Sequence, residues 1–107
     1  MRIDISYKNI TPDKPLEVFI EEKIGGLERY INDGPIFAKV EMGLPSRHHR
    51  SGPVFYAEVN LSIGSKLLRA NCQHEDLRNA IVDAKNELRR QIKDFKEKKK
   101  DLTRRAK

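Results

Sequence analysis

Between Leu77 and Phe95 the apolar residues Leu77, Ile81, Ala84, Leu88, Ile92 and Phe95 recur at steps of 4, 3, 4, 4 and 3, and no other feature of the chain restricts its fold so tightly. The spacing predicts one long amphipathic helix over about 75 to 98. At about 100° per residue the six positions share a sector of roughly 80°, so the helix has a single narrow apolar stripe. Such a stripe is buried only against another apolar surface, and the upstream sequence supplies one.

Ile3, Ile5 and Tyr7 alternate with Asp4 and Ser6, the period of a strand with one buried face. The same alternation runs through Ile36, Ala38, Val40, Met42 and Leu44, through Phe55, Ala57, Val59, Leu61 and Ile63, and through Leu68, Ala70 and Cys72. The second and third of these strands are expected to pair as a hairpin across the loop from Pro45 to Pro53. Gly64-Ser65 or Ser65-Lys66 then turns the chain into the fourth. Cys72 falls on the core side, where a free cysteine behaves as a small hydrophobe. Between the first two strands, Thr11-Pro12-Asp13-Lys14-Pro15 offers a cap and first-turn prolines, and Leu16, Ile20, Ile24, Leu27 and Ile31 follow at helical spacing. A first helix over about 14 to 31 is expected, ended by Asn32-Asp33-Gly34-Pro35. Gly25-Gly26 interrupts it at roughly 1 kcal/mol per glycine relative to alanine, which predicts a kink or the close approach of another backbone. The order β-α-β-β-β-α predicts an α+β two-layer sandwich: a four-stranded, mainly antiparallel sheet with both helices on one face.

A chain of 107 residues suits one core. One domain over 1–98 is expected, with a flexible basic tail over 99–107. The sequence has no run of 18 apolar residues, and Met1-Arg2-Ile3-Asp4 does not open an apolar signal stretch. A cytoplasmic location is expected, in keeping with a single Cys72 that has no intrachain disulfide partner.

The formal charge of +6 is unevenly placed: residues 1–77 hold 10 basic and 11 acidic side chains, and residues 78–107 hold 12 and 5. On the last helix the signs also separate around the axis. Arg78, Lys85, Arg89, Lys93, Lys96 and Lys100 fall in a sector about 100° to one side of the apolar stripe, while Asp83, Glu87, Asp94, Glu97 and Asp101 lie round the back. A merely solvated helix more often intersperses Glu and Lys at i,i+4, and Asp94 with Lys98 is one such pair. The segregated cations form a row about 30 Å long. A solvated basic face is the plain alternative, but segregation favours a polyanion. RNA is favoured over DNA because no helix-turn-helix or zinc-finger spacing is present.

Other chemistry is sparse. The loop Arg47-His48-His49-Arg50 reads either as solvated or as a second RNA contact, its arginines on phosphates and its imidazoles on bases. Adjacent histidines diverge, and Cys72 and His74 belong to another strand end, so no metal site is expected. Catalytic triads, phosphate cradles and paired carboxylates are not evident, so no enzyme and no cofactor are expected. His74-Glu75-Asp76 reads as the cap of the last helix. The basic helix lacks an interfacial Trp and has small and medium apolar residues suited to a sheet, which argues against a membrane partner.

Several stretches together carry a resemblance. They are Ile20 to Tyr30 (Ile-Glu-Glu-Lys-Ile-Gly-Gly-Leu-Glu-Arg-Tyr), His48-His49-Arg50-Ser51-Gly52, Ala57-Glu58-Val59-Asn60-Leu61, Leu67-Leu68-Arg69-Ala70, His74-Glu75-Asp76, Ala80-Ile81 and Leu88-Arg89-Arg90-Gln91. In order and spacing the chain resembles the ribosome hibernation-promoting factor family, also called ribosome-associated inhibitors or ribosomal subunit interface proteins, in its short form. The resemblance implies a fold like a double-stranded-RNA-binding domain with an added strand. It also implies a stress and stationary-phase translation inhibitor that binds the small ribosomal subunit and its 16S-type ribosomal RNA, competes with mRNA and tRNA, and is a monomer away from the ribosome. Lys23, Arg29 and Arg90 match the family's basic positions, and Lys93 and Lys96 extend the same stretch. Arg78, Lys85 and Arg89 rest on the charge stripe instead. Gly26 and Glu87 stand where the family usually has Lys, and Val82 where it has an acidic or amide residue. The length leaves no room for the C-terminal dimerisation domain of long forms. Outside this reading stand a free-standing double-stranded-RNA-binding module and a small ribonuclease using His48 or His49.

Overall fold

Alternation sorts the side chains of every strand onto two faces, and on one of those faces they are apolar from edge to edge. The structure, a computed structural model, describes residues 1–32, 34–45 and 54–105, the last five by their backbone alone. Its elements are β1 (Arg2–Lys8), α1 (Lys14–Gly25), a 3₁₀ helix (Gly26–Tyr30), β2 (Ile36–Gly43), β3 (Phe55–Ile63), β4 (Lys66–His74) and α2 (Leu77–Arg105). The strands lie in the order β1-β2-β3-β4, with β1 parallel to β2 and the other pairs antiparallel. In this register Ile5, Val40, Val59 and Ala70 form one row across the core face. Ser6, Glu41, Glu58 and Asn71 form the neighbouring row on the opposite face.

Leu16, Ile20, Ile24 and Leu27 from the first helical segment join Ala80, Ile81, Ala84, Leu88 and Ile92 of α2 over that apolar face, in one buried cluster. The expected α+β sandwich, with a mixed four-stranded sheet and both helices on one side, is therefore present. The local signals act where they stand in the sequence. Asp13 accepts a hydrogen bond from the Leu16 N–H at 2.7 Å, capping α1. Asp76 Oδ1 accepts from the N–H groups of Arg78 at 2.8 Å and Asn79 at 3.3 Å, and His74 Nδ1 accepts from the Asp76 N–H at 2.9 Å. The His74-Glu75-Asp76 stretch is thus a cap, as expected. Ile63 pairs with Lys66, leaving Gly64-Ser65 as the two-residue turn, with Gly64 at φ 59°.

At Gly25-Gly26 the α-helix gives way to the 3₁₀ helix, so the interruption is a change of helical track. Among the described residues no other backbone approaches there: a Cβ built on Gly25 would meet Ile3 Cδ1 at 3.7 Å, and one on Gly26 would meet Arg29 Nη2 at 3.6 Å. At its other extreme α2 continues to Arg105, beyond the periodic stretch that ends near Lys98. Ile92 is its last buried residue among the described side chains. Beyond the sheet, helix growth needs only one further backbone bond per residue, and the Lys- and Glu-rich sequence favours it. Cys72 is half-buried against the core. Burial pushes its thiol pKa up, and the charges of Asp83 and Glu87 push it further. Among the described residues, no helix is long and apolar enough to cross a membrane.

Two buried positions away from the cluster between sheet and helices make the fold testable. A Cβ on Gly43 would collide with the backbone carbonyl of its β1 partner Lys8, whose oxygen also accepts the Leu44 N–H at 3.0 Å. Gly43→Ala should therefore lower stability by about 1–3 kcal/mol, as overpacking does. It should be read as a reduced urea midpoint at constant m, and an unchanged midpoint would contradict the close approach. On the uncovered face, Tyr56 donates its O–H to Glu41 Oε2 at 2.9 Å. Burial first, then that bond and the charges of Glu41 and Glu58, hold the phenol pKa up at about 12, against 10 ordinarily. The folded state thus binds this proton more tightly. The corresponding stability is complete below pH 10 and is lost as pH rises towards about 12. Urea titrations at pH 9 and 11.5 should show a smaller alkaline loss for Tyr56→Phe than for wild type.

Candidate nucleic-acid interface

Burying the α2 stripe sets the rotation of the helix about its axis, and this decides which way its cations face. Arg78 and Arg89 lie on the flank turned towards the first helical segment. The Arg78 guanidinium sits over the Phe19 ring of α1 at 5.0 Å from its centroid, and the Arg89 guanidinium over the Tyr30 ring of the 3₁₀ helix at 4.8 Å. The same rings receive cations from their own segment: Lys23 Nζ is 5.5 Å from the Phe19 centroid and the Arg29 guanidinium 5.8 Å from that of Tyr30. Each aromatic ring therefore carries one cation from each side of the groove between the helices.

Local sequence explains the arrangement. Phe19 and Lys23 stand at i,i+4 on the flank of α1 next to its buried Leu16, Ile20 and Ile24. The change to a 3₁₀ track buries Leu27 and brings Arg29 and Tyr30 against α2, where Arg29 Nε also donates to the Gly26 carbonyl at 3.1 Å. Further along, Tyr30, Asn86, Arg89, Arg90, Ile92, Lys93, Lys96, Glu97 and Lys100 line an open groove of about 660 Å³, so that five cations stand there with one carboxylate. Lys85, half-buried, belongs to the same flank of α2.

Among the described residues, Lys23, Arg29, Arg78 and Arg89 make no ion pair with a carboxylate, and neither do Lys85, Lys93 and Lys96. Arg90 is different. It points into the acidic back of α2, where its guanidinium meets Glu87 Oε1 at 2.6 Å and Asp94 Oδ2 at 3.1 Å. The bond from Arg90, followed by one from Gln91, lowers the Glu87 pKa, and Glu87 in turn raises that of Arg90. These exposed pairs are weak individually, but they give Arg90 carboxylate partners that Arg89, Lys93 and Lys96 do not have among the described residues.

The structure thus brings together two sets of residues that the sequence offered on separate grounds: Lys23 and Arg29 by resemblance, and Arg78, Lys85, Arg89, Lys93 and Lys96 by the charge stripe. Arg90 borders the same groove but differs in being engaged by Glu87 and Asp94. Phe19 and Tyr30 are additions that sequence reading missed, although Phe19 at i,i+4 from Lys23 and the Arg29-Tyr30 neighbours were visible signals. Arg47, His48, His49 and Arg50 lie outside the described residues, as does Asp33. No group of three or more His, Cys, Asp or Glu side chains suited to a metal ion occurs among the described residues. A groove with this surplus of cations and apolar footing can bind a string of phosphates.

The chain is 36% identical over 98 residues to the ribosome hibernation promotion factor of Bacillus subtilis (strain 168), covering 92% of this chain and 50% of that protein. It is 34% identical over 97 residues to the factor of the same name from Staphylococcus aureus (strain COL), covering 90% and 48%. The chain thus spans about half the length of these curated relatives. Among solved structures, the Thermus thermophilus Protein Y N-terminal domain superposes with a TM-score of 0.76 at 28% identity, covering 89% of this chain and 99% of that one. A ribosomal subunit interface protein from Coxiella burnetii superposes with a TM-score of 0.72 at 12% identity, covering 90% and 98%, and shows the shared fold. Residues 3–100 match the family model described as Sigma 54 modulation protein / S30EA ribosomal protein, and the chain belongs to that family.

Proposed function

We propose that this protein is a non-enzymatic ribosome-binding translation inhibitor, a hibernation factor that occupies the mRNA and tRNA path of the small ribosomal subunit. The observation that carries the reading is the inter-helix groove, where Lys23, Arg29, Arg78 and Arg89 gather on two rings without a carboxylate partner among the described residues, in a chain whose relatives are named ribosome hibernation promotion factors. Lys23, Arg29, Arg78, Lys85, Arg89, Lys93 and Lys96 would meet ribosomal RNA phosphates. Arg90 would join them only by leaving Glu87 and Asp94, and the Arg47-His48-His49-Arg50 loop would add a second contact. Occlusion accounts for the inhibition, so no bond is made or broken.

Co-sedimentation with purified ribosomes at low salt, set beside binding to isolated duplex RNA, tests the reading. Retention on ribosomes, and displacement by mRNA with initiator tRNA, is expected. Failure to sediment, or indifference to those competitors, would remove it. Stronger binding to the isolated duplex would point to a free-standing double-stranded-RNA-binding module.

The proposed RNA-facing cations have their own test. Changing Lys85, Arg89 and Lys93 together to alanine should weaken binding and reduce the log–log salt slope by up to about one unit for each phosphate that is no longer neutralised. Arg90→Ala should change affinity and slope less than Arg89→Ala, because Arg90 is already engaged by two carboxylates. An unaltered slope in the triple variant would return the stripe to a solvated face.

A further inference from the structure

We propose that Phe19 and Tyr30 are positioning residues for polyanion binding: each ring holds one cation from the first helical segment and one from α2, so that four positive charges stand in a fixed array before the ligand arrives. The identity of the ligand as ribosomal RNA rests on the proposed function, whereas the array belongs to the free protein.

Energetically significant cation–ring contacts occur about once per 70–80 residues in folded proteins. Here four of them converge on two rings in one groove, at 4.8 to 5.8 Å. Both rings are themselves secured, being partly buried against the hydrophobic core. Tyr30 also lines a small crevice with Ile31, Ile63, Ile92 and Phe95, so its ring is footed on the sheet and on α2. Arg78 and Arg89 are eleven residues apart on α2, about three turns and ~16 Å, and therefore project in the same direction. The two clusters present their charges side by side on one surface.

The grouping is electrostatically unfavourable in isolation. Lys23 and Arg78 share one ring, Arg29 and Arg89 share the other, and among the described residues no carboxylate is paired with any of the four. Attraction to the negative faces of the rings offsets part of that repulsion. A phosphate backbone would relieve the rest. Long side chains ordinarily lose rotamer freedom when they bind, which weakens affinity, and a side chain already stacked has less to lose. The planar guanidinium suits this task better than an ammonium because it stacks through its face and keeps its N–H edge available for phosphate oxygens.

A charge-conserving variant separates this role from charge alone. Arg78→Lys with Arg89→Lys keeps every positive charge and alters only exposed side chains. Its dissociation constant for ribosomes at fixed salt should rise about tenfold, with the log–log salt slope and the unfolding midpoint unchanged. Unchanged affinity would mean that the cations act as mobile point charges, and would overturn the proposal. The second arm needs no ligand. In the free protein, NMR relaxation of the arginine Nε–H groups should show Arg78 and Arg89 more ordered than exposed Arg69. That order should fall at Arg89 in Tyr30→Leu and at Arg78 in Phe19→Leu, and should be retained at Arg89 in Tyr30→Phe. Wild-type Arg78 and Arg89 as mobile as Arg69 would overturn the array. If wild-type protein does not sediment with ribosomes, the proposed function fails by itself. The relaxation arm and the same charge-conserving comparison on duplex RNA then decide the positioning role.

Discussion

Burial of the α2 stripe against the sheet is the contact on which the remaining organisation depends, because it joins a fold constraint to a charge arrangement. Ile81, Leu88 and Ile92 are at most 2% exposed. At about 25 cal/mol per Å² of apolar area removed from water, such a seam is the largest single contribution that α2 can make. Once the seam is seated, the helix is fixed in rotation. A sector of cations about 100° from the stripe then faces the first helical segment, and the acidic back faces away from it. A slip of one residue would turn every charge on the helix by about 100° and take Arg78 and Arg89 off their rings.

The two sides of the sheet show why only one serves this purpose. The core side is filled by helices whose outer flanks supply the basic groove. The open side mixes Asp4, Glu41 and Glu58 with Lys39 and Arg69, with Glu41 directly opposite Glu58 and held by Tyr56. Its charges are mixed in sign and none of its rows forms a continuous cationic track. The helical layer therefore both closes the core and carries the basic groove, and the sheet without α2 would have neither.

The fold was legible to an unusual degree because the signals agree at each level. Alternation in the strands, steps of three and four in the helices, Asp13 and Asp76 as caps and Gly64-Ser65 as a turn all specify the same arrangement. The departures occur where local signals are silent. Nothing in the periodicity told whether Gly25-Gly26 would kink the helix or admit a neighbouring backbone, since both uses of glycine read alike. Nor did loss of apolar periodicity after Lys98 tell that α2 would continue to Arg105, because a helix outside the core needs no stripe. The candidate site was legible in its charges but not in its partners. Arg89 and Arg90 are adjacent and equivalent as letters, yet one stacks on Tyr30 and the other is clasped by Glu87 and Asp94.

The amino-acid sequence by itself determined the element order, the faces that must be buried and the segregation of charge on the last helix. These follow from periodicity within a single segment, and neighbours along the chain suffice to express it. Only the tertiary structure decided that Lys23 and Arg29 meet Arg78 and Arg89 across two aromatic rings. That outcome depends on the relative rotation and placement of two helices that are distant in sequence. That placement is set by how both apolar stripes share one sheet, a condition that no local pattern contains.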